Sequence, residues 1–182
     1  ALQKAMRSLE IDRYGLGSDG NLKMESRLRG LALDRQREAL EKALREPRED
    51  RIFYLYLALC LGWSVERVHE LTSIDPWFLA QIKEIVEAEE QFVQDVRLNG
   101  MNAGNLRKMK GLGFSDRQIA FISDRERLTR LYEKGPTSQK EYSQVLKQLE
   151  KKVRESRYSN DIRPGFRLVD TCGGEFEAYT PY

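Results

Sequence analysis

Residues 74–93, IDPWFLAQIKEIVEAEEQFV, constrain the fold more than any other part of the chain. Asp75 can cap a helix, because its carboxylate accepts from the free amides of the first turn. Pro76 suits the first helical position, where its missing N–H costs nothing. Apolar residues then recur with the period of a helix; they are Phe78, Leu79, Ile82, Ile85, Val86, Phe92, Val93 and Val96. We predict one long helix that ends near Arg97 and packs this face into a core.

Glu89 is the exception on that helix, because at 100° per residue it falls inside the apolar stripe, between Ile85 and Phe92. A buried carboxylate must find a partner or shift its pKa upward. Glu89 is therefore either an acid–base or coupling residue, or half of a structural ion pair with an Arg or Lys of another helix. We favour the ion pair, because the sequence suggests no His, Ser or Cys partner nearby.

The chain contains an internal repeat. Gly-Trp-Ser at residues 62–64 recurs as Gly-Phe-Ser at residues 113–115, and Val68 aligns with Ile119. Each copy predicts an aromatic residue that packs back onto a short, serine-capped helix. Two such helix pairs cannot each bury a core alone, so we expect both to pack on the long helix between them. The aromatic residues Trp63, Trp77 and Phe114 are predicted to be core anchors.

Further helices are predicted over residues 34–46, after Glu49 and after Ser138, where Ser138 and Glu141 have capping spacing. The pairs Ser115 with Gln118, and Ser123 with Glu126, have the spacing of capping boxes. Extended structure is expected only near residues 166–169. The fold class is therefore all-α, an irregular helical bundle with one long central helix, two short repeated helix pairs and an extended C-terminal tail.

Composition excludes several classes of protein. The chain has 182 residues, 33% of them charged, and a net charge of +2, which is typical of a soluble helical protein and permits a nucleic-acid partner without indicating one. Its most apolar stretch, residues 52–61, is too short to span a bilayer. Two cysteines do not make a disulfide framework, and one histidine without a Cys pair argues against a zinc site. We expect both thiols to be reduced in the cytoplasm.

Residues 15–20, GLGSDG, match the GxGxxG pattern of dinucleotide-binding proteins. That fingerprint needs a buried strand before it and a βαβ unit around it, and neither is predicted here. We interpret residues 12–29 as a flexible, loosely ordered loop.

Cys172 could be a catalytic thiol only with a base to ionise it, and the one histidine is distant in sequence. The expected role of Cys172 is therefore packing.

A helix-turn-helix in the second repeat is an alternative. Basic residues between Arg107 and Arg130 could contact DNA phosphates, but acidic residues alternate with them. A structural helix pair accounts for both copies of the repeat, whereas a DNA-binding motif would account only for the second copy. Nucleic-acid binding is therefore a minor alternative.

Four segments of the sequence resemble the large chain of carbamoyl-phosphate synthase. The motif of residues 74–89 is preceded by LGWSVERVHELT and followed by GFSDRQIA and VDTCGGEFEAYTPY, in the family's order. Residues that carry this resemblance or are expected to pack in the core are Trp63, Asp75, Pro76, Trp77, Phe78, Leu79, Ile82, Glu89, Phe114, Ile119 and Cys172. Residues 133–150 depart from the family pattern and are interpreted as an insertion.

The resemblance implies a module of a larger enzyme. Residues 1–10 would end the first ATP-grasp half, residues 11–33 would form a loop-rich linker, and residues 34–169 the helical oligomerization domain. Residues 170–182 would lead toward the second half. The whole enzyme would make carbamoyl phosphate from bicarbonate, glutamine-derived ammonia and ATP with magnesium, for arginine and pyrimidine synthesis.

The family assigns this domain no catalytic residues, so we expect a non-catalytic unit without a cofactor or metal of its own. Its expected partners are both ATP-grasp halves, the small glutaminase subunit and a second copy of itself, with no membrane. We expect the cut ends, residues 1–9 and 176–182, to be poorly ordered. An effector-binding module remains a further alternative, although in the family effectors act at a separate C-terminal domain.

Overall fold

The computed structural model describes residues 1–165, and that part of the chain contains ten α-helices, one short 3₁₀ helix and no strand. The helices are α1 (Leu2–Arg7), α2 (Lys23–Arg29), α3 (Leu33–Arg45), α4 (Arg51–Cys60), α5 (Val65–Thr72), α6 (Pro76–Asn99), α7 (Ala103–Gly111), α8 (Asp116–Ser123), α9 (Arg125–Glu133) and α10 (Gln139–Ser159). The all-α prediction is confirmed. The predicted extended tail, with Cys172 and residues 176–182, lies outside the described residues.

The long helix α6 is central, as the sequence predicts. The Asp75 carboxylate accepts from the Trp77 amide at 2.8 Å, Pro76 is the first helical residue, and Gly100 ends the helix with φ 68°. Helices α4, α5, α7 and α8 all pack against α6, whose apolar side chains fill the middle of the core. Leu79, Ile82, Phe114 and Ile119 are buried, as predicted.

The two repeats form nearly the same turn. The Trp63 amide donates to the Ala58 carbonyl at 3.0 Å, and the Phe114 amide donates to the Met109 carbonyl at 3.1 Å. In each turn the preceding glycine has a positive φ, which an L-residue adopts only at a cost. Helix α4 followed by α5 therefore corresponds to α7 followed by α8. Trp63 is only partly buried against the core, because the first copy lies nearer the surface than the second.

Two predicted aromatic anchors are on the surface instead. Trp77 and Phe78 are 63% and 58% exposed, so the prediction that Trp77 and Phe78 belong to the core is wrong. Trp77 is turned by about 200° from Leu79 around the helix axis and cannot share its buried face. Phe78 lies on the same face of α6 as the buried Ile82. However, Phe78 is in the first turn of the helix, where the other described residues do not cover this face.

Two predicted capping interactions are also wrong. Helix α8 continues through Ser123, and Asp124 is the residue before α9, without a side-chain cap. Ser138 precedes α10 but accepts no capping bond, since a 3₁₀ turn already leads into that helix. The capping box of Ser115 and Gln118 is confirmed. Cys60 is exposed at the end of α4.

The amino-terminal region differs most from the prediction. Residues 15–20 are all buried, so a flexible loop is wrong for them. We call residues 13–20 the inserted segment, because in space they lie between the two repeats, although they precede both in the sequence. Helix α1 is also packed, with Gln3 and Met6 buried, whereas Leu9 is exposed. The expectation of poor order at residues 1–9 stays a prediction. Sequence periodicity missed the burial of residues 15–20 because they are not part of a helix.

Candidate functional site

Four polar side chains from four parts of the chain form a buried polar centre around Glu89. Its Oε2 atom accepts from the Ser18 hydroxyl at 2.6 Å, the Tyr56 hydroxyl at 2.6 Å and Nη2 of Arg125 at 2.9 Å. Ser18 belongs to the inserted segment, Tyr56 to α4, Glu89 to α6 and Arg125 to α9. The centre thus joins both repeats, the long helix and the amino-terminal region.

Burial governs the protonation of this centre. Glu89 is only 2% exposed, and removal from water raises the pKa of its carboxyl, although Arg125, Ser18 and Tyr56 all favour the charged form. Burial, together with the adjacent Glu89, also raises the pKa of the Tyr56 hydroxyl well above its usual range. The side chains of Glu89 and Tyr56 are both buried.

The structure therefore gives Glu89 the predicted ion-pair partner on another helix. Sequence reasoning missed Ser18 and Tyr56 as further partners, since Ser18 lies in a segment interpreted as flexible. The signal was present in the glycines of residues 15–20, because small residues permit close packing. A Cβ on Gly17 would overlap the Tyr56 ring, and one on Gly15 would overlap Gln118. The GxGxxG pattern here serves packing between helices.

A second polar cluster holds the inserted segment in place. The Leu16 amide donates to Oε1 of Gln3 at 2.7 Å, and Nε2 of Gln118 donates to the Gly17 carbonyl at 3.1 Å. Oε1 of the same Gln118 accepts from the Ser115 amide at 3.0 Å, so one side chain both caps α8 and fixes the segment. Gln118, predicted only as a capping residue, therefore also makes a tertiary contact that the capping spacing could not predict.

Asp116 forms a third polar cluster at the start of α8. Lys110 lies 2.9 Å and Arg157 3.2 Å from its two carboxylate oxygens. Burial opposes ionisation of this carboxyl, but the two cations outweigh it and hold the pKa of Asp116 below its usual value. This cluster fastens the carboxyl end of α10 to the second repeat.

Two exposed surfaces are apolar. The first, which we call the aromatic groove, has a cavity volume of about 830 Å³ and is lined by Leu2, Ile52, Ile74, Trp77, Phe78 and Ile85 among others. The second, which we call the leucine hollow, has a volume of about 260 Å³ and is lined by Leu22, Leu28, Leu57 and Leu61. Ser18, Tyr56 and Arg125 of the polar centre lie at its base. Open apolar surfaces of this kind mark contacts with other proteins or segments.

Within residues 1–165 no three His, Cys, Asp or Glu side chains are placed to hold a metal ion together. No helix of that same region is both long and apolar enough to cross a membrane. Cys172 lies outside the described residues, so its role stays a prediction.

An all-α unit with a polar centre built on a buried glutamate and two open, largely apolar surfaces defines a class of helical domain that packs against other domains. The family model of the carbamoyl-phosphate synthetase large chain, oligomerisation domain, matches residues 1–161. Over its whole length the chain is 40% identical to the carbamoyl phosphate synthase large chain of Archaeoglobus fulgidus and covers 14% of that protein. It is 37% identical to the large chain of Synechocystis sp., again covering 14%.

The chain is also 38% identical over its whole length to a protein of Aquifex aeolicus named as the N-terminal section of the large chain, of which it covers 26%. The chain therefore belongs to the oligomerisation-domain family of carbamoyl-phosphate synthase large chains. It spans about one seventh of the first two relatives. Neither the helix-turn-helix nor the effector-binding alternative gains support from these relatives.

Proposed function

We propose that this chain is a non-catalytic association domain within a carbamoyl-phosphate synthase large chain. The parent enzyme would make carbamoyl phosphate from bicarbonate, glutamine-derived ammonia and ATP with magnesium, in the cytoplasm. The domain would join two ATP-grasp halves, and the small glutaminase subunit would complete the enzyme. The whole-chain match to an N-terminal section of a large chain supports placing the domain with the first half.

Burial of the polar centre supports a non-catalytic role. Glu89 is 2% exposed, and its Oε2 atom is occupied by Ser18, Tyr56 and Arg125, which stand between it and the leucine hollow. A test is bicarbonate-dependent ATP hydrolysis by the isolated chain. We expect no activity above a heat-denatured control, and turnover that Glu89→Gln abolishes would contradict the proposal.

We propose the leucine hollow as the surface through which the domain associates with a second copy of itself. Leu61, at the end of α4, is 57% exposed, and Leu57 of the same helix lines the same hollow. The side-chain amide of Gln36 donates to the Leu31 carbonyl at 2.8 Å, which places another exposed leucine beside the hollow. A second copy of the domain would remove the exposed Leu31 and Leu61 from water, and burying apolar surface stabilises such an interface.

Light scattering coupled to size-exclusion chromatography tests this surface. The monomer mass is 21.2 kDa, and we expect a dimer or larger species that dissociates on dilution. Leu61→Glu should give a monomer, because it places a charge in the buried interface. Leu98→Glu is the matched control, since Leu98 is 82% exposed near the far end of α6. A wild-type monomer at every concentration, or dissociation by Leu98→Glu alone, would refute this surface.

A further inference from the structure

We propose that a cavity between α6 and the turn from α8 to α9 binds a small molecule that carries phosphate groups. This cavity, which we call the arginine cavity, has a volume of about 400 Å³. It is lined by the carboxyl-terminal part of α6, by residues 122–127 and by Arg130. A volume of this size is within the range of ligand pockets, ~300–1,000 Å³. The inference concerns a ligand and not association, so it does not rest on the proposed function.

Arginine dominates the charged lining of the arginine cavity. Among the described residues that line it, four arginines stand against two carboxylates, those of Asp124 and Glu126, so two positive charges are in excess. The arginines are Arg97, Arg125, Arg127 and Arg130. Because a cleft lined mainly by one sign of charge concentrates its field, the cavity attracts anions.

Two of these arginines are poorly paired. Nη1 of Arg127 lies 3.6 Å from the Asp124 carboxylate, which is beyond hydrogen-bonding distance. Nε of Arg130 donates to the backbone carbonyl of Glu126 at 3.2 Å, and within the described part of the chain no carboxylate pairs with Arg130. Arg127 and Arg130 are exposed and three residues apart, so they lie on the same side of α9. Their remaining N–H groups can therefore bind one anion together.

Arg125 connects the arginine cavity with the polar centre. Its Nη2 atom donates to Ser18 at 2.6 Å and to Glu89 at 2.9 Å, whereas its Nη1 atom donates to none of the described residues. Because these contacts already hold the guanidinium in place, Arg125 would lose little side-chain freedom on binding a ligand.

The start of α9 opens onto the same cavity. Asp124 precedes the helix but supplies no side-chain cap, and the amides of residues 125–127 donate to no acceptor of the described chain. Free amides and the helix dipole favour an anion at this position. These amides add donors to the arginines and are not a site by themselves.

The directions of the donors favour a phosphate over a carboxylate. Arg97 approaches from α6, the other arginines approach from α9, and the free amides lie at the turn between α8 and α9. A phosphate group presents oxygen atoms on several sides and can accept from all of these donors, whereas a carboxylate has two oxygens in one plane. The volume leaves room for more than one phosphate group, so pyrophosphate is the appropriate probe.

One carboxylate of the cavity competes with such a ligand. Glu126 of α9 pairs with Arg97 of α6, and both side chains are mostly exposed. Exposed ion pairs are weak, so an anion with several charges can displace Glu126 from Arg97. Removal of the Glu126 charge should therefore improve binding.

Isothermal titration calorimetry of the full chain with sodium pyrophosphate tests the site, with sodium chloride added to keep the ionic strength constant. We expect one site per chain with a dissociation constant of about 1 mM or lower. Citrate, a carboxylate anion with several charges, should bind at least about tenfold more weakly. No saturable heat with pyrophosphate, or equal affinity for citrate, would overturn the proposal.

Arg130→Gln should weaken the binding of pyrophosphate at least about fivefold, because it removes a charge-assisted contact. Arg37→Gln is the matched control, since Arg37 is exposed on α3 and the change in net charge is the same. Both substitutions are at exposed positions, so the fold is expected to persist, and circular dichroism checks this. Equal losses of affinity for the two variants would show only a general effect of charge and would overturn the proposal.

Glu126→Gln should have the opposite effect and strengthen the binding of pyrophosphate about threefold, because it frees Arg97 and raises the charge of the cavity. A variant that is merely less stable does not bind a ligand more tightly, so this gain separates binding from folding. Glu133→Gln is the matched control on the same helix, because Glu133 pairs with Arg29 and does not line the cavity. Weaker binding by Glu126→Gln, or the same gain with Glu133→Gln, would overturn the proposal.

Discussion

The hydroxyl of Tyr142 donates a 2.6 Å hydrogen bond to the carbonyl of Gly20, and the two residues lie 122 positions apart. Tyr142 is in the first turn of α10, and Gly20 ends the inserted segment. Both groups are buried, so this bond fixes one end of the segment against α10. The interpretation of residues 133–150 as an insertion in the family pattern stays a prediction. This contact shows that α10 packs on the inserted segment.

Tyr142→Phe should therefore destabilise the fold. The substitution leaves the buried Gly20 carbonyl without its donor, which costs about 1–3 kcal/mol. Urea unfolding followed by circular dichroism measures the change. Tyr158→Phe, at an exposed position of the same helix, is the control and should stay within about 0.5 kcal/mol of wild type. Equal losses for the two variants would mean that the Tyr142 hydroxyl is not a structural donor.

Gly17→Ala should destabilise far more than Gly135→Ala. Both glycines have a positive φ, so each substitution meets the backbone cost of about 1–2 kcal/mol. Only at Gly17 would the new methyl group overlap a buried ring, that of Tyr56, whereas Gly135 has open space. Overpacking adds about 1–3 kcal/mol, so the expected loss at Gly17 is about 2–5 kcal/mol. Similar melting temperatures for the two variants would argue against a packed segment.

Arg125→Met should cost about 3 kcal/mol, because it leaves the Glu89 carboxylate buried without its cation. The double variant Glu89→Leu with Arg125→Met should lose less than the sum of the single losses, since both charges are then gone. Arg127→Met is the control on α9, because its pair with Asp124 is exposed and 3.6 Å long. Strict additivity in this double-mutant cycle, measured by urea unfolding, would show that Glu89 and Arg125 are not coupled.

Asp116 should make the fold sensitive to acid. Its pKa in the folded state is below that of the unfolded chain, about 3.9, so the ionised form stabilises the fold. This contribution is complete above the unfolded value and is lost as the pH falls through the folded one. Asp116→Asn should remove that part of the acid dependence, which melting temperatures between about pH 6 and pH 2 would reveal. A wild-type curve parallel to that of the variant would contradict it.

Much of the fold could be predicted from sequence because it follows local rules. The Asp75 cap, the stripe of α6 and the paired serine turns depend on residues a few positions apart. The exposure of Trp77 and Phe78 could not be predicted in this way, because burial depends on what lies opposite a helix. The burial of Glu89 was predictable from its place in the stripe, but its partners came from segments 71 and 36 residues away.

The inserted segment has a consequence for the order of folding. Gln3 and Leu16 contact Gln118 across more than 100 residues, and Ser18 contacts Tyr56 and Arg125. The helices of each repeat can form early and locally, but these closing contacts need the amino-terminal residues to arrive between two repeats that are already close. Contacts between residues so distant in sequence slow folding, because the loop that they close is long. This helical domain is therefore expected to fold more slowly than a simple bundle of equal length, and to unfold both repeats together when its amino terminus is released.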